Sequence, residues 1–223
     1  MRSRLVTVVL ALAGLLAAAS CGHDAKGSGS SQPAAGAGLA RILDQPKLGS
    51  LATASGPSLK PTTDAQTFAV GNGWLYNVEP GDAFALGKRL QQHGFVAGAS
   101  RFYGRDPNAP TTGPEPLGVT ATIELRDAAA ARAEADAQFK AAFKACPGGP
   151  CATAGELPVE GIAGVQAATF RRDVRGERMY EYMVVFAKGP VAAQVYASSL
   201  KKDGMGGAVV STARTLYDRL PAS

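Results

Sequence analysis

The chain has little of the side-chain chemistry from which most active sites are built. Its 223 residues include two histidines, three cysteines and one tryptophan, and only 18% of them are charged. His23 lies in a Gly/Ser-rich stretch and His93 lies near the end of a predicted helix, so neither belongs to a recognisable Ser-His-Asp or Cys-His arrangement. No phosphate-binding glycine loop and no GxSxG elbow occur in the sequence. These absences predict a protein that is not an enzyme and that uses no cofactor and no metal.

The balance of charge is equally modest. The formal net charge of +5 includes Arg2 and Arg4, which precede the mature protein as argued below; without them, 21 of the 23 basic residues remain against 18 acidic ones. This excess is too small to indicate a nucleic-acid partner. A hydrophobic content of 46% nevertheless excludes a wholly disordered chain. We therefore expect one globular domain that binds no nucleic acid.

Long apolar runs are absent except at the amino terminus. There, Arg2 and Arg4 precede an uncharged apolar run over residues 5–16, and small residues follow it up to Cys21. This order is typical of a secretory signal peptide. The run is too short to cross a hydrocarbon core of about 30 Å as a helix. Residues 1–20 are therefore predicted to be a signal peptide rather than a permanent membrane span.

The residues around Cys21 resemble a bacterial lipobox. In Leu16-Ala17-Ala18-Ala19-Ser20-Cys21, small residues precede a cysteine that in bacterial lipoproteins receives diacylglycerol and begins the mature protein, although the usual leucine three places before it is here Ala18. The alternative is an ordinary cleaved signal followed by an unrelated cysteine. With its polar linker and Ala/Gly/Arg-rich composition, the chain is similar to the small surface lipoproteins of actinobacteria such as mycobacteria. The resemblance implies attachment to the outer face of the cytoplasmic membrane through a lipid on Cys21.

The other two cysteines form a natural pair once Cys21 is acylated, because an unpaired thiol is a liability in an oxidising compartment. Cys146 and Cys151 flank Pro147-Gly148-Gly149-Pro150, a turn-forming sequence that can bring the two sulfur atoms together. A metal half-site or a redox pair is the alternative, but no second CxxC and no nearby histidine accompany them. We predict a structural disulfide that stabilises the domain by about 2 kcal/mol.

The mature chain divides into a linker and a domain. Residues 22–38 are almost entirely small or polar, which predicts a disordered tether. A leucine-rich patch and a second Pro/Thr/Ser stretch follow, so residues 21–66 are predicted to be the lipidated N-terminus and flexible linker, and residues 67–223 a single globular domain. The patch docks either on the domain or on the lipid surface, and we favour the domain. It comprises Leu39, Ile42, Leu43, Leu48 and Leu51.

Periodicity predicts both helices and strands in residues 67–223. The predicted helices are 83–93, 127–144 and 206–220, and the predicted strands are 95–103, 117–125, 165–174, 178–187 and 191–196. Two short turns, Arg175-Gly176-Glu177 and Lys188-Gly189-Pro190, force the last three strands to be antiparallel neighbours. The predicted fold class is α+β, with a mostly antiparallel sheet, helices packed on one face, and the other face free to bind.

Two further features bear on binding. Four arginines surround the hairpin tip between the strands at 165–174 and 178–187; the alternatives are a solvated turn and a patch for anionic head groups or an acidic envelope polymer, since arginine forks suit phosphate. These arginines are Arg171, Arg172, Arg175 and Arg178. The strand at 178–187 is apolar on both faces, which predicts either a central strand covered on both sides or the wall of a ligand groove, and we favour the first.

These observations lead to one main functional expectation. The chain is expected to act as a lipid-anchored, non-enzymatic binding or scaffolding module of the cell envelope, whose partner is an envelope protein, a polymer or a lipid. A carrier of a lipid or other apolar molecule is the alternative, and it requires a closed apolar cavity. A carboxylate-dependent wall hydrolase is the third class, and it requires two carboxylates held together in a cleft.

Overall fold

The computed structural model describes residues 32–44, 59–62, 64–68, 83–104, 117–144, 152–174, 176–202 and 204–221. The helices are α1 (Gln32–Leu43), α2 (Ala83–Gln92), α3 (Ala128–Lys144) and α4 (Gly206–Arg219). The strands are β1 (Lys60–Pro61), β2 (Gln66–Phe68), β3 (Phe95–Gly104), β4 (Gly118–Leu125), β5 (Ala152–Glu156), β6 (Gln166–Val174), β7 (Glu177–Lys188) and β8 (Val191–Ser199). The predicted signal peptide, Cys21, Cys146, Cys151 and Arg175 lie outside the described residues.

The strands form one antiparallel sheet in the order β1-β3-β4-β8-β7-β6-β5, and β2 pairs with β3 as well. The chain turns directly from β6 to β7 and from β7 to β8, as the two short turns predicted. β8 then pairs with β4, which lies much earlier in the sequence. The α+β class and the antiparallel sheet are confirmed.

Helices cover both faces of this sheet, which corrects the expectation that they pack on one face. On the face that we call the α3 face, α2 and α3 bury residues such as Leu86, Leu90 and Ala131 against Ile123 and Val185. On the other face, which we call the α4 face, α1 and α4 pack over a second apolar cluster. That cluster includes Leu39, Leu43, Val184, Phe186, Val195, Val209, Ala213 and Leu216. Because adjacent residues of β7 point to opposite faces and both sets are apolar, a layer of helices is needed on each side.

β7 is the strand on which this arrangement is clearest. Val184 and Phe186 point to the α4 face, and Met183 and Val185 point to the α3 face. All four side chains are buried. The prediction that this strand is central and covered on both sides is therefore confirmed.

α1 belongs to the folded domain, although it lies within the predicted linker. Leu39 and Leu43 are buried in the cluster on the α4 face, which confirms that this part of the leucine-rich patch docks on the domain. The end of the helix is held by Arg101 on β3, which donates a 3.0 Å hydrogen bond to the Leu43 carbonyl. Asp44 accepts a 2.7 Å hydrogen bond from the Ala65 amide. The domain boundary therefore lies near residue 32 rather than 67, while Leu48 and Leu51 are outside the described residues.

Local features of α3 follow the sequence closely. Asp127 caps the helix by accepting a 2.7 Å hydrogen bond from the Ala130 amide, and this bond lowers the pKa of the Asp127 carboxyl below its usual value of 3.8. On the solvent side, Lys140 lies 2.6 Å from Asp136. This contact is an exposed i,i+4 ion pair.

One close approach of main chain and side chain fixes the edge strand β2. Phe68 on β2 is paired with Gly98 on β3, and its ring lies over the glycine. A Cβ atom at Gly98 would lie 2.2 Å from Cζ of Phe68, so any side chain there would require the Phe68 ring to move. Among the described residues, no helix is both long enough and apolar enough to span a bilayer.

Candidate functional site

The predicted arginine group lies at one end of the sheet, where β6 ends and β7 begins; we call this the arginine end. The turn between the strands contains Gly176 at φ +83°, a conformation that favours glycine. Arg171 is exposed, and Arg178 lies 3.7 Å from Asp173 across the hairpin. The arginines are therefore near one another, but part of their charge is balanced by neighbouring carboxylates.

Arg172 is the least exposed of the three arginines at this hairpin that the structure describes. It lies on the α3 face, where its Nη2 atom donates a 3.0 Å hydrogen bond to Oε2 of the buried Glu181. Its Nε atom is buried and has no hydrogen-bond partner. Its role is thus chiefly to neutralise Glu181, so Arg172 is less available to an outside anion than the sequence predicted.

Glu181 also contacts Tyr196 on the neighbouring strand β8. Burial raises the pKa of the Tyr196 hydroxyl well above its ordinary value of 10.0, and the adjacent Glu181 carboxylate raises it further, against a smaller opposite effect of Arg172. Tyr196 is hydrogen-bonded to Glu181 and Ser198. The four side chains form a polar cluster on an otherwise apolar face, and its phenol stays protonated at neutral pH.

Ser198 ties this cluster to an exposed leucine. Its hydroxyl accepts a 3.0 Å hydrogen bond from the Leu117 amide and donates to the Leu117 carbonyl at 3.4 Å. The Ser198 amide donates to the same carbonyl at 2.8 Å. Leu117 is nevertheless 45% exposed, and Leu200, two residues beyond Ser198, is 40% exposed. These two are the large apolar side chains that the described residues leave open to solvent.

Two lysines follow Leu200 directly. Lys201 and Lys202 are exposed, and the Lys201 carbonyl accepts a 3.1 Å hydrogen bond from the Tyr182 hydroxyl. The Lys201 amide donates to Ser199 Oγ at 3.1 Å. The main chain at Lys201 is therefore held in place, while both lysines are exposed to solvent. Sequence reasoning missed this cluster because Leu117 and Leu200 are far apart in the chain and only the β4–β8 pairing brings them together.

A second buried polar cluster connects α2 to α3, and the sequence analysis did not predict it. Glu134 on α3 is fully buried. Arg89 on α2 donates two hydrogen bonds to its carboxylate, from Nε to Oε2 at 2.9 Å and from Nη2 to Oε1 at 2.8 Å. His93 Nδ1 lies 3.0 Å from Oε2, and Gln138 Nε2 donates to Oε1 at 3.2 Å. His93, which directly follows α2, thus contacts a buried carboxylate.

A sequence pattern could have indicated this cluster. Glu134 lies between Ala131 and Ala135 on the apolar stripe of α3, and a charge in such a stripe needs a partner. Arg89 and His93 are four residues apart and therefore share one face of α2. Nothing in the sequence, however, pairs α2 with α3.

The described residues offer no group of three or more His, Cys, Asp or Glu side chains that could hold a metal ion. Two surface depressions are lined by described residues. One lies beside α1 and β2 and the other beside α4, and both are open to solvent rather than enclosed. Neither has the form that an apolar carrier requires.

Comparison with known proteins gives little further information. No family model matches the chain, and no curated protein matches its sequence. Among solved structures, the extracellular domain of PknH from Mycobacterium tuberculosis is similar at a TM-score of 0.46, with 13% identity over 72% of this chain and 84% of that domain. A similarity of this extent carries no inference about function.

Proposed function

We propose that this chain is a lipid-anchored, extracytoplasmic binding or scaffolding module without catalytic activity, held on the outer face of the cytoplasmic membrane by a diacylglycerol on Cys21. The observation that carries this proposal is the order of positive n-region, short apolar run, small residues and cysteine over residues 1–21. A single acyl modification site at the start of the mature chain would attach everything that follows to the membrane.

The buried carboxylates support a non-enzymatic role. Glu134 accepts hydrogen bonds from Arg89, His93 and Gln138, so all of its acceptor capacity is directed at its own domain. Glu181 is similarly bound by Arg172 and Tyr196. A general acid of a glycosidase must hold a proton and face the substrate. Both carboxylates are instead placed as structural acceptors.

The covering of the sheet supports a binding site at an end of the sheet rather than on a face. Helices occupy both faces, and the core residues of β7 are buried on each side. Among the described residues, exposed apolar and cationic side chains occur at the arginine end of the sheet. A scaffold that presents one end of a rigid sheet can bind without opening its core.

The anchor is tested by metabolic labelling with a clickable palmitate analogue in a bacterial host that processes lipoproteins. The wild-type chain and Cys146→Ala, a matched cysteine control, should incorporate the label and remain with the membrane. Cys21→Ala should lose the label and either stay as the uncleaved precursor or be released. A processed, unlabelled Cys21→Ala chain that stays membrane-bound as tightly as the wild type would contradict the proposal.

A further inference from the structure

Two buried side chains on the α3 face each carry a polar atom without a hydrogen-bond partner in the described part of the chain. They are Ser100 on β3, which is fully buried, and Gln194 on β8, which is 5% exposed. The atoms concerned are Oγ of Ser100 and Oε1 of Gln194. An unsatisfied buried polar atom is costly, so native proteins pair nearly all of them, either with other protein groups or with ordered water.

The register of the sheet brings the two side chains to one place. Ser100 is paired with Ala121 on β4, and Ala121 is paired in turn with Gln194. Directly paired residues of an antiparallel sheet point to the same face. That face is the α3 face, because Gln194 is also paired with Val185 of the apolar cluster there. Ser100 and Gln194 therefore flank Ala121 in one row, with Cβ atoms two strand spacings or roughly 10 Å apart.

Ala121 leaves space between the two polar side chains, because its own side chain is a single methyl group. It is 1% exposed, and among the described residues it belongs to neither of the two apolar clusters. A molecule that bridges two polar atoms with hydrogen bonds of about 2.8 Å on each side spans roughly 5.6 Å. Together with the lengths of a serine and a glutamine side chain, this span is of the order of the Cβ separation.

The surroundings of this row decide what kind of molecule can be bound. The adjacent residues on the same face of β3, β4 and β8 are all uncharged; they are Gly98, Phe102, Val119, Ile123, Ala192 and Tyr196. A charged ligand would therefore lose its hydration without gaining a counter-charge from them. The near-complete burial of Ser100, Ala121 and Gln194 favours a very small ligand. Water is small and neutral, and it can donate a hydrogen bond to an amide oxygen.

From these observations we infer that an ordered water molecule is bound over Ala121, where it donates a hydrogen bond to Gln194 Oε1 and bridges to the Ser100 hydroxyl. The hydroxyl can donate to the water or accept from it, so both unsatisfied atoms gain a partner. Two of the roughly three hydrogen bonds that a buried water makes are thereby supplied. The water would connect β3 to β8 across β4, which lies between them.

The test counts long-lived internal waters in the full chain in detergent by oxygen-17 relaxation dispersion. Ser100→Ala/Gln194→Met removes both polar groups and nearly conserves the volume of the glutamine. We expect the wild type to hold one more long-lived water than this double variant. Ser211→Ala/Gln91→Met, the same substitutions at exposed positions of α4 and α2, should hold as many as the wild type. Circular dichroism checks that both variants are folded.

The location of the water is tested by cross-relaxation between water and the Ala121 methyl group. The wild type should show this signal, and the double variant should lose it. If the double variant does not fold, Gln194→Met alone provides the same test. It leaves the water with Ser100 as its side-chain partner, so the residence time should fall at least tenfold.

Three results would overturn the inference. The first is an equal number of long-lived waters in the wild type and the double variant, and the second is the absence of cross-relaxation at Ala121 in the wild type. The third is a small organic compound that mass spectrometry detects in extracts of the wild type but not of the double variant, which would assign the row to another ligand. The labelling of Cys21 tests the proposed function separately, so neither test decides the other.

Discussion

Arg89 holds both carboxylate oxygens of Glu134, with Nε 2.9 Å from Oε2 and Nη2 2.8 Å from Oε1. This two-point contact joins α2 to α3. Because Glu134 is fully buried, its charge has no access to water and depends on these donors. The pair is the main polar connection between the two helices on the α3 face.

Replacing Glu134→Gln should lower the free energy of unfolding by about 2 to 3 kcal/mol, because Arg89 would lose its charged partner while remaining mostly buried. Urea unfolding followed by circular dichroism measures this change. Asp136→Asn, which affects an exposed pair on the same helix, should cost less than about 0.5 kcal/mol. Equal effects of the two substitutions would mean that the buried pair contributes no more than a surface contact.

Tyr196 should make stability depend on pH on the alkaline side. Burial and the Glu181 carboxylate raise its pKa in the folded protein above the ordinary 10.0, so the folded state resists ionisation that the unfolded chain undergoes. Its contribution is fully present below pH 10 and is lost as the pH rises from there towards the folded pKa. Unfolding free energies measured in steps above pH 9 should fall less steeply in Tyr196→Phe than in the wild type.

Gly98 should not tolerate a side chain. Gly98→Ala places a methyl group 2.2 Å from the original position of Phe68 Cζ, and the resulting overpacking should cost about 1 to 3 kcal/mol. Gly155→Ala, at a strand position with open space around it, is the control and should change stability little. The smaller ring-free side chain in Gly98→Ala/Phe68→Leu should recover part of the loss. Full tolerance of alanine at Gly98 would contradict the close approach.

α1 should be required for folding. Leu43 is fully buried on the α4 face, so Leu43→Ala should cost about 2 to 5 kcal/mol, whereas Arg41→Ala on the exposed side of the helix should be nearly neutral. A chain that begins at residue 67 should therefore expose apolar surface and melt well below one that begins at residue 32. Thermal unfolding of the two chains measures the difference, and equal melting temperatures would restore the boundary that the sequence predicted.

The disulfide predicted between Cys146 and Cys151 remains a prediction. If it forms, reduction should lower stability by about 2 kcal/mol without unfolding the domain, because the sheet has a core of its own on each face. Thiol titration of the native protein and melting with and without reductant provide the test. Two free thiols together with an unchanged melting temperature would exclude a structural bridge.

The sequence predicted most of the strands and three helices because the patterns that indicate these elements lie within short stretches of the chain. α3 has an N-cap at Asp127 and an apolar stripe, and β7 has its two neighbours connected by short turns. α1 was missed because Ala and Gly dominate its first half. The burial of its two leucines depends on packing against β3, which the local sequence does not show. Helix propensity alone does not show which surface a helix will cover.

The candidate sites depended on contacts that no short stretch of sequence contains. The alternation within β7 predicted its burial, but not that separate pairs of helices would cover its two sides. The contact of Leu117 with Ser198 requires the pairing of β4 with β8, and the buried carboxylate of Glu134 requires a helix 41 to 45 residues earlier in the chain. Four arginines close in sequence were easier to recognise, yet the structure shows two of them next to carboxylates of their own hairpin.

The location of β8 has a consequence for the order in which the domain can assemble. Gly118 pairs with Ala197 and Glu124 pairs with Val191, so one of the last strands to be synthesised fills the middle of the sheet. Until β8 arrives, β4 has an open edge and the two halves of the sheet cannot join. Long-range pairing of this kind slows folding. A chain threaded through a membrane amino terminus first would thus stay extensible during passage and close its sheet only after nearly all of it had crossed.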